Sequence, residues 1–298
     1  MVTRVSQSEA WTRYWVGGMT ESCFSGGRAV TFEAAWSAFC DSVPAGARIL
    51  DLACGAGSAL RILQKQKPGL AMTGVDCATS LPAAAPAEMI PGVALEKLPF
   101  EDHSFDAVIS QFGFEYAEQV AASAEAVRVL KPGGRLQFIL HNADGPAIAD
   151  AKRRRERMEP LLADTGLVPA LGRLAGAVAA QDDPAIRARE AEKSWQAARD
   201  APAQDETTQW ALSFSADLLR DWQRFEPAYL RDNARTLERE LSFYHARINA
   251  MIEAALDESG IDALACRLQD LGCSIDPPRP LKYRNDPVAW RLTASRSG

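Results

Sequence analysis

Residues 48–58 are Arg48-Ile49-Leu50-Asp51-Leu52-Ala53-Cys54-Gly55-Ala56-Gly57-Ser58, a short apolar run that ends in an acidic residue and two closely spaced glycines. An apolar pattern of helical spacing follows at Leu60, Ile62 and Leu63, so the stretch predicts a buried strand that turns into a helix. Glycines at the carboxyl end of a strand let the chain turn sharply and let a ligand approach the backbone. Because open α/β sheets bind nucleotide-like ligands at this end of the first strand, the stretch predicts a cofactor site.

The glycine spacing argues against a dinucleotide, because the third glycine of that fingerprint is replaced by Leu60. A second strand is predicted over residues 70–76, and it ends in Asp76. This carboxylate follows the glycines by about twenty residues, the spacing at which an acidic side chain binds ribose hydroxyls. An Asp after a strand can also cap a turn. In combination with the glycines, we expect Asp76 to bind ribose, since its two oxygens can accept both hydroxyl protons.

Residues 51–57 resemble the first motif, D-x-x-C/G-G-x-G, of class I S-adenosylmethionine-dependent methyltransferases with a type 11 domain. Three further segments resemble the same family in the same order. They are L-P-F-x-D-x-S-F-D at Leu98–Asp106, the following strand and loop at Val108–Gly113, and R-V-L-K-P-G-G at Arg128–Gly134. The collinear resemblance extends from about residue 45 to residue 142.

The resemblance implies an α/β, Rossmann-like sheet, mostly parallel with its last strand antiparallel. It implies S-adenosyl-L-methionine as the cofactor and S-adenosyl-L-homocysteine as the product. Family members often have an Asp where Ala94 stands, so we expect the backbone around Leu95 and Glu96 to hold the adenine. The cofactor-binding residues implied in this chain are Asp51, Ala53, Gly55, Gly57, Asp76, Cys77, Leu95, Glu96 and Gln111.

The segment 147–245 is rich in Ala, Leu, Glu and Arg, with apolar residues at helical intervals. We interpret it as a helical cap inserted into the methyltransferase domain, which then comprises 45–146 and 246–298, and we expect it to cover the carboxyl edge of the sheet. A helix up to residue 272 and a strand pair near 280–283 and 288–292 follow it. The expected breaks between cap helices are Pro160, Gly166, Pro169, Gly172, Pro184 and Pro202.

Residues 1–44 are predicted to form an N-terminal helical flap with joints at Gly17-Gly18 and Gly26-Gly27. Phe32, Trp36 and Phe39-Cys40 have helical spacing and are expected to pack on the core. Trp11 and Trp15 share one helix face and belong either to a core stripe or to a flap that closes over the ligands. The substrate-pocket candidates are Tyr14, Trp15, Phe112, Trp210 and Phe214; the last two could instead attach the cap to the sheet domain.

Two residues are candidates for acid–base chemistry. His141 follows the fifth predicted strand, and an imidazole, with an ordinary pKa near 6.5, suits proton transfer from a hydroxyl or amine; it could also only bond to backbone. Glu115, followed by Tyr116, occupies the position at which some oxygen-methylating relatives have Glu-His. It could orient an acceptor or bind a cation, or it could face solvent at a helix start.

The chain has 298 residues, 47% of them hydrophobic, and a net charge of −6, which fits one large domain or two smaller ones. The sequence contains no run of about 18 apolar residues, so no membrane span is expected. The first residues lack an apolar stretch suited to secretion. Six cysteines without a C-x-x-C pair predict reduced thiols, no metal site and a cytoplasmic location. The basic run Lys152–Arg157 is interpreted as a solvated helix face, so no nucleic-acid partner is expected.

We expect a methyltransferase that acts on the oxygen, nitrogen or carbon of a small-molecule acceptor. A macromolecular acceptor, either RNA or a protein side chain, is the first alternative, and a non-catalytic regulatory protein that binds S-adenosylmethionine is the second. A deep apolar pocket predicts a small acceptor, whereas a broad open cleft predicts a macromolecule. The sequence leaves the oligomeric state open and is compatible with a dimer.

Overall fold

The structure, a computed structural model, describes residues 5–19, 29–83, 87–201 and 205–298. The predicted joint Gly26-Gly27 and the predicted break Pro202 lie outside these residues. The chain divides into two compact units: a sheet unit, residues 7–150 and 250–298, and a helical unit, residues 151–249 with residues 5 and 6. The boundaries of the predicted insertion, 147–245, lie four residues from those of the helical unit. The described residues of the predicted flap, from Gln7 onward, group with the sheet.

The sheet unit contains seven strands in the order β3-β2-β1-β4-β5-β7-β6. The strands are β1 Arg48–Leu52, β2 Ala71–Asp76, β3 Glu88–Pro91, β4 Phe105–Gln111, β5 Leu130–His141, β6 Cys273–Tyr283 and β7 Asp286–Arg296. The first five strands pair in parallel, and β7 pairs antiparallel with both β5 and β6. The predicted Rossmann-like sheet, mostly parallel with an antiparallel last strand, is confirmed.

Ten α-helices occur in the described ranges. They are α1 Gln7–Val16, α2 Ala29–Ser42, α3 Ser58–Gln66, α4 Gln119–Val129, α5 Pro146–Leu162, α6 Leu167–Ala180, α7 Pro184–Asp200, α8 Glu206–Asp221, α9 Pro227–Ala254 and α10 Glu258–Asp270. Helices α5 to α9 account for the helical unit, with the first residues of α5 and the last residues of α9 in the sheet unit.

Strand β1 supplies apolar side chains to both faces of the sheet, because successive residues of a strand point to opposite sides. Leu50 and Leu52 join one core with α4 and α10, whereas Ile49 joins the other core with α2 and α3. Trp36 of α2 is fully buried in the second core, as its spacing predicted. Full burial of such a side chain stabilises the fold by about 1.5–3 kcal/mol. The two cores fix β1, and therefore the turn that follows it.

Two boundaries differ from the sequence expectation. The strand expected from Arg135 begins at Leu130, so the predicted glycine turn lies inside β5, opposite a register shift in β4. The helix expected to continue to residue 272 is two helices, α9 and α10. The second begins because the carboxylate of Asp257 accepts a hydrogen bond from the Gly260 N–H (2.8 Å) and caps its first turn.

In the helical unit, α5 to α9 pack around a core that includes Leu171, Leu174 and Leu237. Gly166 precedes α6 and Pro184 begins α7, as predicted. The breaks expected at other positions are wrong. Pro160 lies in the last turn of α5, and Gly172 lies inside α6. Pro169 lies in the first turn of α6, where a backbone N–H has no partner within the helix, so the proline removes no helical hydrogen bond. That the helical unit covers the sheet edge stays a prediction.

One stretch, Pro146–Ala180, is apolar enough by length and composition to cross a membrane, with a mean hydropathy of 1.3 in its most apolar window. It consists of α5 and α6, which are separated by a turn at residues 163–166. More than half of this most apolar window is buried inside the structure. Buried core helices of soluble proteins meet the same criteria of length and composition. The expectation of no membrane-spanning segment therefore meets one weak candidate.

Candidate cofactor and acceptor site

The turn after β1 is held in an unusual backbone conformation. Ala53, Gly55 and Gly57 all have positive φ, at 54°, 51° and 77°. The Cys54 N–H donates to the carbonyl oxygen of Val75 (2.9 Å), and this bond ties the turn to the end of β2. Left-handed backbone is unfavourable for residues with a side chain, so its presence at Ala53 marks a turn that the surrounding structure fixes.

Asp76, at the end of β2, holds the same turn through its carboxylate. Its Oδ2 accepts a hydrogen bond from the Gly55 N–H and its Oδ1 accepts one from the Ala78 N–H, both at 2.8 Å. Burial raises the pKa of Asp76, although the two backbone hydrogen bonds oppose that rise. Each carboxylate oxygen has two lone-pair sites, so the residue keeps acceptor capacity for ligand hydroxyls.

Asp51 is the second buried carboxylate at this edge of the sheet, with 2% of its surface exposed. Within the described residues its Oδ1 has no hydrogen-bond partner. Burial, and then the neighbouring charge of Asp76, raise the pKa of Asp51 well above its ordinary value. A buried carboxylate oxygen without a donor is unfavourable by about 1–3 kcal/mol. Asp51 is therefore suited to a ligand or water molecule that donates a hydrogen bond.

A cavity of about 240 Å³ lies at the carboxyl ends of these strands. Its lining residues are Gln7, Ser8, Trp11, Trp15, Ala53, Asp76, Cys77, Ala94, Leu95, Glu96, Phe112, Gly113, Tyr116 and Ala117. The structure thus brings together five of the predicted cofactor residues on the cavity wall: Ala53, Asp76, Cys77, Leu95 and Glu96. The other four, Asp51, Gly55, Gly57 and Gln111, lie in the strands and turn behind that wall.

Gln111 has a partner that the sequence did not indicate. Its Oε1 accepts a hydrogen bond from the indole Nε1 of Trp36 at 2.6 Å. This bond joins the end of β4 to the buried helix α2. It occupies one acceptor site of the amide, and the predicted contact between Gln111 and the cofactor stays a prediction.

Helix α1 lies across the cavity. The Ser8 hydroxyl donates to the carbonyl oxygen of Cys77 (2.7 Å), and the Thr79 N–H donates to the Thr12 hydroxyl (2.8 Å). At its other end, the Trp15 ring lies so close to Gly55 that a Cβ there would overlap it. The helix therefore contacts both the segment after Asp76 and the glycine turn.

Trp11 lines the cavity although it was not among the predicted pocket residues. It stacks on Trp15 (centroids 6.1 Å) and meets the Tyr116 ring edge-on at 5.4 Å. The four-residue spacing of the two tryptophans was the available signal, since a helix that presents one presents the other. Tyr14, which was predicted to line the pocket, packs behind Trp15 (centroids 4.8 Å) and is not among the lining residues.

His141 and Glu115 form a buried pair, with 1% and 4% of their surfaces exposed. The Glu115 Oε1 lies 2.7 Å from the Nδ1 atom of His141. The same oxygen accepts a hydrogen bond from the backbone N–H of His141 at 2.8 Å. The interpretation of Glu115 as a solvent-facing residue at a helix start is wrong, because its carboxylate is enclosed between β5 and the short 3₁₀ turn Phe114–Tyr116. Because a carboxylate accepts the proton on Nδ1, the pairing directs Nε2 to act as the proton acceptor.

Phe112 separates this pair from the cavity. Its ring lies 4.6 Å from the imidazole of His141, and the Tyr116 ring lies 5.9 Å from the same imidazole. Both Phe112 and Tyr116 line the cavity. Phe112 has a φ of 56°, a strained value for an aromatic residue. The next residue, Gly113, lies so close to Ala53 that a Cβ at this position would overlap the Ala53 side chain. The chain thus bends sharply where the aromatic wall meets the glycine turn.

Trp210 and Phe214, the remaining pocket candidates, lie on α8 of the helical unit. Their rings are 5.4 Å apart, as expected for one helix face, and Trp210 is exposed. Neither is among the residues that line the cavity of the sheet unit. Their place in an acceptor pocket stays a prediction.

The cysteines near the turn behave as small apolar residues. Burial, and then Asp76, raise the pKa of Cys77 to about 12, and burial raises the pKa of Cys54 well above its usual range. Both therefore remain thiols, the unreactive form. The described residues contain no group of three or more His, Cys, Asp or Glu side chains arranged to hold a metal ion.

Comparison with known proteins adds the following. A sequence family described as "Methyltransferase domain" matches residues 50–138. A demethylmenaquinone methyltransferase from Thermotoga maritima is 39% identical over 98 residues, which cover 31% of this chain and 42% of the relative. Another, from Mycobacterium sp. (strain KMS), is 32% identical over 153 residues, which cover 50% of this chain and 61% of the relative.

The chain therefore spans about half the length of the curated relatives that it matches. Among solved structures, a SAM-dependent methyltransferase from Aquifex aeolicus aligns with a TM-score of 0.44 at 11% identity, over 87% of this chain and 88% of that one. The family match at residues 50–138 contains the glycine turn, Asp76 and the Phe112 wall. Residues 50–138 are thus similar to a methyltransferase domain.

Proposed function

We propose that the protein transfers a methyl group from S-adenosylmethionine to a small-molecule acceptor. The observation that carries this proposal is one cavity lined by both a buried carboxylate, Asp76, and an aromatic residue with strained backbone, Phe112. Asp76 suits the ribose hydroxyls of a nucleoside, and Phe112 adjoins the buried pair of His141 and Glu115. The name of the relatives, demethylmenaquinone methyltransferase, supports an acceptor of this small-molecule class.

The residues present fit the methyl donor. Asp76 retains acceptor sites for ribose hydroxyls, and Leu95 and Glu96, whose backbone is expected to hold the adenine, line the same cavity. The unpartnered Oδ1 of Asp51 suits the amino-acid end of S-adenosylmethionine, to which it can bind directly or through a water molecule. When bound, the donor supplies a methyl group on a positively charged sulfur. The aromatic lining favours that charge because ring faces attract cations.

The chain's own contribution is alignment, exclusion of water and removal of a proton. Helix α1 and the ring of Phe112 line the cavity, which reduces the access of water to the reacting groups. Glu115 holds the imidazole of His141 so that Nε2 can take a proton from an acceptor hydroxyl. This chemistry suits methylation at that oxygen, or at a carbon conjugated to it. Because Phe112 stands between His141 and the cavity, we expect its ring to control the acceptor's access to Nε2.

A small acceptor is favoured over a macromolecule because α1 roofs the cavity and its walls are mainly apolar. The proposal is tested by incubating the protein with methyl-labelled S-adenosylmethionine and three acceptor pools: ring-hydroxylated small molecules, total RNA and denatured protein. Label in the organic-soluble fraction supports the proposal. Label in RNA or protein supports a macromolecular acceptor instead. Binding of the donor without label transfer to any pool supports a regulatory role and contradicts catalysis.

A further inference from the structure

The helical unit contains a second cavity, of about 580 Å³, which is within the usual size range of small-molecule sites. It shares no lining residue with the cavity of the sheet unit. Its lining residues are Arg153, Glu156, Arg157, Pro160, Leu161, Thr165, Gly166, Leu167, Ser194, Ala197, Ala198, Ala201 and Thr208. The cavity therefore has an apolar floor and several polar groups around it.

Small side chains create the space. Ala197 and Ala198 of helix α7, and Ala201 directly after its end, line the cavity. At the turn between α5 and α6, Gly166 lies so close to the carbonyl oxygens of Pro160 and Leu161 that no Cβ could be placed there. The tight turn brings the start of α6 to the edge of the cavity.

Arg157 gives the cavity a positive charge. Within the described residues no ion pair or hydrogen bond engages its guanidinium, whereas the adjacent Arg155 pairs with Glu159 at 3.6 Å. Arg153 lines the cavity one helical turn away, and Glu156 lies on the same rim with the opposite charge. The basic run that the sequence assigned to a solvated face thus sends two arginines to this cavity.

Two further groups can donate hydrogen bonds to an anion here. Thr208 is 5% exposed and lines the cavity, where its hydroxyl can donate a hydrogen bond. Helix α6 begins at Leu167 without a side-chain cap. Its first-turn N–H groups are therefore suited to a negative charge.

We propose that this cavity binds a small carboxylic acid with an apolar body. The carboxylate is held by Arg157, the Thr208 hydroxyl and the start of α6. The apolar body lies against Pro160, Leu161 and the alanines of α7. A guanidinium matches a carboxylate geometrically and charge-assists its hydrogen bonds.

The test is calorimetric titration of the full chain with octanoate, with 1-octanol as an uncharged probe of the same length. We expect saturable octanoate binding that is at least about tenfold tighter than octanol binding. Arg157→Gln should weaken octanoate about tenfold and Thr208→Val about fivefold. Glu156→Gln should strengthen it about twofold, because it removes a like charge from the exposed rim.

Arg155→Gln is the matched control, since it removes the same charge from the same helix outside the cavity, and it should leave octanoate binding unchanged. Ala197→Leu fills the cavity from an exposed helix position and should weaken both probes, with an unchanged thermal unfolding midpoint as the check on folding. Equal weakening by Arg155→Gln and Arg157→Gln would overturn the proposal in favour of general surface charge. Undiminished binding in Ala197→Leu, or no saturable binding of octanoate, would also overturn it.

Discussion

The contact between α1 and the glycine turn can be tested by placing a methyl group at Gly55. At this position φ is 51° and a Cβ would overlap the Trp15 ring. Gly55→Ala therefore introduces two costs, a left-handed alanine and a steric clash with α1. Gly69 is the matched control, because it also has positive φ (94°) but nothing lies within 4 Å of an added Cβ.

The magnitudes follow from these two environments. Left-handed backbone is unfavourable by about 1–2 kcal/mol for an alanine, so Gly69→Ala should lower the free energy of unfolding by about that amount. The clash at Gly55 should add about 1–3 kcal/mol, the usual range for overpacking. In a Trp15→Ala background the clash disappears, so Gly55→Ala should then be no worse than Gly69→Ala. The assay is urea unfolding with linear extrapolation of the free energy.

The double-mutant cycle gives a direct criterion. We expect a coupling free energy of about 1–3 kcal/mol between Gly55 and Trp15, as for residues in contact. If Gly55→Ala and Gly69→Ala destabilise the protein equally, and Trp15→Ala relieves nothing, α1 does not lie on the turn. The inference that this helix lies across the cavity would then be refuted.

Two further predictions concern the buried carboxylates. Glu115→Gln should lower the rate of methyl transfer about 100-fold, while the affinity for S-adenosylhomocysteine stays within about twofold of the wild-type value. His141→Gln should have the same two effects. Unchanged turnover in either variant would remove the pair from the mechanism. Burial raises the pKa of Asp51 above its ordinary 3.8, so stability from this group is present below that pH and is lost as the pH rises. Asp51→Asn should therefore raise the free energy of unfolding at pH 7 by about 1–3 kcal/mol, and this gain should vanish below about pH 3.8; a gain independent of pH would contradict the assignment.

The sequence predicted the sheet and much of the candidate cofactor wall because both depend on local patterns. The strand of residues 48–52 supplies side chains to two cores with a period of two, and its glycine turn follows directly. Asp76 lies at the end of the neighbouring strand, and parallel strands end at one edge. Residues placed at strand ends thus converge without any information about distant packing.

Long-range pairings were beyond the sequence. Glu115 is buried because it pairs with His141, 26 residues away, and a Glu at a short turn carries no local sign of that partner. The bond between Trp36 and Gln111 likewise joins a helix to a strand 75 residues later. Pro160 was expected to end a helix, but in the last turn of α5 few hydrogen bonds remain for it to disrupt.

Titration calorimetry with S-adenosylhomocysteine tests the central claim, that the cavity at the ends of β1 and β2 holds the methyl donor. We predict saturable one-to-one binding to the wild-type chain. Asp76→Ala should weaken it about 100-fold through the loss of charge-assisted hydrogen bonds to the ribose, while Asp106→Asn, which alters a carboxylate paired with Lys131 outside the cavity, should leave it unchanged. Absence of binding by the folded protein, or equal affinity in the Asp76 variant and the wild type, would contradict the account.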